Sequence, residues 1–151
     1  KIASVSKHAP GHGCSNRDSH LNLPIVYKKK SKLYKEDFSL FKNLSSNFMM
    51  TAHILYKNVD SKNLATFSNN IINQIIRKKL NFKGILISDD ISMKALSKNL
   101  SVNADKALNA GCNLVLYCGG NIKESSKLLK NLRTIDEFTQ KKTYQFYNFL
   151  R

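Results

Sequence analysis

The chain has 151 residues, enough for one domain with a real core, and its 42% hydrophobic content is ordinary for a globular protein. A formal charge of +15 points first to nucleic acid, yet the positive residues are overwhelmingly Lys, with Arg only at positions 17, 77, 133 and 151. The bidentate Arg fork used by base and phosphate readers is therefore scarce, no apolar stretch approaches the roughly 20 residues that span a bilayer, and neither a nucleic-acid partner nor a membrane is expected.

Four compact apolar runs, at residues 2–6, 48–52, 84–88 and 114–118, have the near-continuous character of strands buried on both faces of a parallel sheet. A lysine cluster, Lys28, Lys29, Lys30 and Lys32, falls in a predicted loop and reads as solvated surface. A helical turn or two is expected within residues 35–44. Residues 64–80 place Phe67, Ile71, Ile72, Ile75, Ile76 and Leu80 on one stripe, with Arg77-Lys78-Lys79 near the C-terminal end of the dipole. Residues 101–110 follow with Ser101 as N-cap candidate and Gly111 as C-cap. Residues 123–132 and 137–150 give two further amphipathic segments.

This β-α alternation implies right-handed crossovers and parallel strands. A small doubly wound sheet and half of an eight-stranded barrel both fit it. In either, an active site forms beyond the C-terminal ends of the strands. Lys7, His53, Asp89 and Gly119-Gly120 follow the four predicted strands in turn. Asp89 and Asp90 end an apolar strand abruptly, which puts carboxylates at the rim of a core; Asp90 is the one expected to cap the next helix. Asp18 and His20 are two apart, so in an extended or turn segment they project to the same side and the carboxylate can orient the ring. His12 and His53 stay open between core, supporting and ligand roles. The scattered histidines lack metal-ligand spacing, so no metal is expected. Cys14, Cys112 and Cys118 are odd in number without CxxC spacing, which suits a reducing compartment rather than a disulfide framework.

Lys7-His8-Ala9-Pro10-Gly11-His12-Gly13, with Asp18-Ser19-His20-Leu21 and Leu23-Pro24, resembles the catalytic-loop signature of bacterial family 3 glycoside hydrolases, specifically β-N-acetylhexosaminidases of the NagZ type. Met50-Thr51-Ala52-His53, then Gly84 through Met93, then Ala110 through Leu116, resemble further family segments in the same order. The resemblance implies the C-terminal half of a (β/α)8 TIM barrel, with the N-terminal barrel half lying upstream of residue 1. It implies Asp89 as nucleophile of a retaining reaction, Asp18 and His20 as the acid/base dyad, and Lys7 with His8 holding sugar hydroxyls.

The activity so implied is removal of terminal β-linked N-acetylglucosamine, in cytoplasmic recycling of peptidoglycan fragments. It uses no cofactor and takes a small carbohydrate as its only partner, in a full-length protein expected to be a monomer. A family 3 β-glucosidase, a glycoside phosphorylase and a non-catalytic basic binding remnant are the alternatives. Three positions depart from the family: Ala9 replaces Phe, Cys14 replaces Asp, and Leu64 replaces Pro. An isolated half barrel would leave strand edges unpaired, so residues 1–151 alone are expected to be inactive.

Overall fold

The computed structural model describes residues 2–16, 19 and 22–151. Its framework is one parallel sheet of four strands: β1 (Val5–Ala9), β3 (Phe48–Thr51), β5 (Ile85–Asp90) and β6 (Leu114–Leu116), ordered β1-β3-β5-β6. Helices lie between the strands, which is the build of an arc of a (β/α)8 barrel. Two two-residue strands, β2 (Ile25–Val26) and β4 (Leu55–Tyr56), pair parallel to each other. They fasten the segment after β1 to the segment after β3, through Leu55 N–H to Pro24 O at 3.0 Å and Lys57 N–H to Val26 O at 2.9 Å.

The strands differ from their expected limits in one consistent way. β1 begins at Val5 and runs through Lys7 and His8, whereas residues 2–6 were expected; Ile2 is 95% exposed and pairs with no strand. β5 likewise continues past Ser88 through Asp89 and Asp90. A polar side chain at the end of a barrel strand points into the open mouth, so the backbone ladder persists where the apolar pattern stops. β6 is shorter than residues 114–118 and ends at Leu116.

The helices show three corrections. Residues 64–80 do not form one helix: a 3-10 turn (Ala65–Phe67) precedes the helix Asn70–Lys79, wound with i→i+5 hydrogen bonds. Ser68 separates them. Its hydroxyl accepts the Ile71 N–H at 3.1 Å and donates to Asp60 at 2.7 Å, capping the helix from outside it. Leu64, where the resemblance implies Pro, sits at φ −65° and ψ 160°, backbone angles a proline would itself adopt. The second correction concerns α1 (Lys30–Glu36), which takes Lys30 and Lys32 into a helix rather than a loop; a 3-10 turn at Phe38–Phe41 follows. In the third, Asn99 rather than Ser101 caps α2 (Leu100–Ala110), its side chain accepting the Val102 N–H. Gly111 closes α2 at φ +118°, a left-handed position that favours glycine. α3 (Ile122–Asn131) and α4 (Glu137–Leu150) are capped by Asn121 and Asp136.

The main core packs Ile71, Ile72, Ile75 and Ile76 with Met49 and Leu86, and extends to Leu33, Phe38 and Tyr56. Phe38 stands edge-on to both Tyr34 and Tyr56. Arg77 does more than complement a helix end. Its guanidinium donates to Gly84 O at 2.7 Å and to Asn113 Oδ1 at 2.6 Å, while Asn113 also accepts the Leu86 N–H at 2.8 Å. This brace fixes the starts of β5 and β6, and hence the height at which their C-terminal ends emerge.

Candidate active site

Four strands in register bring their C-terminal ends together. Ala9 lies opposite Thr51, Met50 opposite Ile87, and Asp90 opposite Leu116. Side chains from alternate strands of a barrel share a layer, so β1 and β5 can meet over the shorter β3. They do: His8 Nε2 lies 3.6 Å from Asp89 Oδ2, with the His8 side chain 29% exposed and that of Asp89 13%. Asp89 Oδ1 accepts the Asp90 N–H at 2.9 Å. One carboxylate oxygen is thus held by the backbone while the other faces the His8 ring. Lys7 is exposed on the same strand end and opposes the protonation of His8 by its charge.

Burial lowers the pKa of His8, and this outweighs the pull of the Asp89 carboxylate. The ring is then neutral near pH 7 and can both donate to and accept from a hydroxyl. His12 stands edge-on to it, ring centres 5.8 Å apart.

The loop leaving β1 is tied down by residues that sequence patterns did not single out. Asp37, 3% exposed, accepts the Gly13 N–H at 3.3 Å and the Cys14 N–H at 3.4 Å. The Tyr56 hydroxyl donates to Gly11 O. The Lys7–His8 and Ala9–Pro10 peptide bonds are cis. A Cβ built on Gly11 would fall on the Asp37 carboxylate, so this glycine is required by close approach. Gly11→Ala is expected to cost about 1–3 kcal/mol by overpacking and to weaken turnover together with stability. Thermal unfolding beside the kinetics checks this, and an unchanged midpoint would contradict the clamp. Ala9 is fully buried, so its small side chain belongs to the core rather than to the site. Asp18 and His20 lie outside the described residues.

Asp90 does not cap a following helix, because the next helix begins only at Leu100. Its carboxylate accepts the Ser92 N–H at 3.0 Å and the Cys118 N–H at 3.1 Å, joining the ends of β5 and β6. Burial pushes its pKa up, but these hydrogen bonds and His53 bring it below the usual carboxylate value. Among the described residues no three His, Cys, Asp or Glu side chains converge as a metal-binding group.

His53 is fully buried, and burial lowers its pKa as well. Both depressed values mean that the unfolded chain binds more protons than the folded one as pH falls. Their contribution to stability is complete above about 6.5 and is lost as pH drops below it. The thermal midpoint is expected to fall between about pH 7 and pH 5, with a shallower slope in His53→Gln. A slope unchanged by that substitution would contradict the assignment.

The family model described as "Glycosyl hydrolase family 3 N terminal domain" matches residues 1–144. A β-hexosaminidase of Haemophilus influenzae is 41% identical over 123 residues, covering 78% of this chain and 35% of that protein. A family 3 β-N-acetylglucosaminidase from Paenibacillus sp. superposes with a TM-score of 0.84 at 28% identity, over 97% of this chain and 30% of its own. NagZ from Neisseria gonorrhoeae, solved with N-trifluoroacetyl-D-glucosamine, superposes with a TM-score of 0.81 at 30% identity, over 95% of this chain and 42% of its own. The chain therefore spans well under half the length of each.

Proposed function

The chain belongs to glycosyl hydrolase family 3, and on that footing we propose that it carries the nucleophile-bearing part of a retaining β-N-acetylhexosaminidase. The observation that carries the proposal is the meeting of His8 and Asp89 at the C-terminal mouth of the parallel strands, 3.6 Å apart. Asp89 attacks the anomeric carbon, the glycosidic bond breaks, and a covalent glycosyl-enzyme forms. His20, oriented by Asp18, gives its proton to the departing oxygen. It then takes one from the water that releases the sugar, so the nucleophile and the acid/base both return to their starting states. Lys7 and the neutral His8 hold sugar hydroxyls beside Asp89.

The substrate is a terminal β-linked N-acetylglucosamine, as the names of the similar proteins favour. The setting we propose is cytoplasmic recycling of peptidoglycan fragments by a monomeric whole protein. The unpaired Cys14, Cys112 and Cys118 suit a reducing compartment. No described helix is long and apolar enough to cross a membrane.

The outer edges of β1 and β6 carry no strand partner among the described residues, which supports reading the chain as the C-terminal barrel half and activity as a property of the whole protein. The test is an assay of that protein on an aryl β-N-acetylglucosaminide, with the first-formed anomer read by NMR. Release of the β-anomer is expected. The α-anomer would overturn retention, and faster turnover of the matching β-glucoside would overturn the substrate assignment.

A further inference from the structure

We propose that His53 is a positioning residue that sets the orientation of the Asp89 carboxylate through the backbone of Asp90. This rests on Asp89 being the nucleophile. His53 Nε2 lies 3.0 Å from Asp90 O, and a carbonyl can only accept, so Nε2 carries the proton. In the neutral ring Nδ1 is then an acceptor, 2.8 Å from Thr66 Oγ1, whose one proton is shared between Nδ1 and the Ala52 carbonyl oxygen at 3.1 Å. The Thr66 oxygen in turn accepts from Thr51 Oγ1 at 2.9 Å. A buried network results that links Thr51, Thr66 and the Ala52 carbonyl to His53 and, through Nε2–H, to Asp90; His53, Thr51 and Thr66 are all fully buried.

Asp90 is the hub that this network holds. Its N–H grips Asp89 Oδ1, its carboxylate accepts from Ser92 and Cys118, and its carbonyl accepts from His53 and, within the local turn, from the Met93 N–H at 3.2 Å. The bond from His53 reaches across from the end of β3, whereas the one from Met93 lies within the turn. Turning the carbonyl would rotate the residue whose N–H holds the nucleophile. The carboxylates facing the ring are Asp89 and Asp90, and both favour a protonated ring, yet burial keeps it neutral and the donor direction fixed.

The substitutions His53→Phe and His53→Gln in the whole protein test this. His53→Phe keeps an aromatic ring but removes both ring nitrogens. It should lower kcat by about 10²-fold, the cost of a small misplacement of a reacting group, with KM changed less than about threefold. His53→Gln retains a donor and should recover most of kcat. Activated and poor leaving groups should lose rate equally, because the acid/base is untouched. Labelling of Asp89 by a fluorinated glycosyl trap, counted per folded molecule, should slow in step with kcat. Wild-type labelling speed in His53→Phe would overturn the positioning role, whereas label on another residue of the wild type would instead overturn the nucleophile itself. Should His53→Phe fail to fold, 15N-histidine NMR of the wild type decides. A proton on Nε2 supports the relay, and a proton on Nδ1 alone overturns it.

Discussion

Asp89→Ala in the whole protein is expected to lower kcat by roughly 10⁴-fold or more, the scale on which loss of an enzymic nucleophile is felt. The reason lies in what the carboxylate does. It supplies negative charge against an oxocarbenium-like transition state and then forms the bond that preserves configuration. Nothing else described at the mouth replaces it: the Asp90 carboxylate is already engaged by Ser92 and Cys118, and the lowered pKa of His8 leaves an uncharged ring. The fold should tolerate the change. Asp89 is partly exposed and its carboxylate makes one backbone hydrogen bond, so the unfolding free energy is expected to change by less than about 1.5 kcal/mol. Residual activity within tenfold of wild type would contradict the assignment.

His20→Ala is expected to divide substrates by their leaving groups. A general acid contributes about 10²–10⁴-fold, and only where the departing oxygen needs a proton. An alkyl or sugar leaving group should lose most of that factor, while an activated aryl group such as dinitrophenol leaves unaided and should lose little in the first step. Asp18→Asn should show the same division more weakly, because it leaves the imidazole in place but removes the carboxylate that orients it. Equal losses across the series would count against an acid role for His20 and would point to its loop as a structural element. The contrast with His53→Phe, for which equal losses are expected, separates proton transfer from nucleophile placement.

The alternation of strands and helices was legible in the sequence because each buried strand announces itself by a short continuous apolar run. What the pattern placed poorly were the strand ends at the site. Lys7, His8, Asp89 and Asp90 read as the first residues beyond their strands, but all four continue the ladder. Periodicity ends a strand at its first polar residue, and a barrel mouth is where strands carry polar residues by necessity. β2 and β4, at two residues each, are too short for any period to register.

Among the supporting residues, His53 is open between several roles in the sequence, and the geometry places it between Thr66 and Asp90. Asp37 carried no signal that a single sequence could offer. Its role depends on packing against Gly11 from 26 residues away, and it looks like an ordinary helix-end acid until the loop folds over it. The capping reading of Asp90 failed for a related reason. The helix expected next is delayed by a turn-rich segment, and the carboxylate finds Ser92 and Cys118 instead.

The most direct measurement is peptide mapping of the whole protein after trapping with a fluorinated N-acetylglucosaminyl donor. A single glycosylated tryptic peptide spanning residues 84–94 is expected, with the sugar ester-linked to Asp89 and released by base. A label on any other carboxylate, or no covalent adduct while turnover with retention continues, would contradict it.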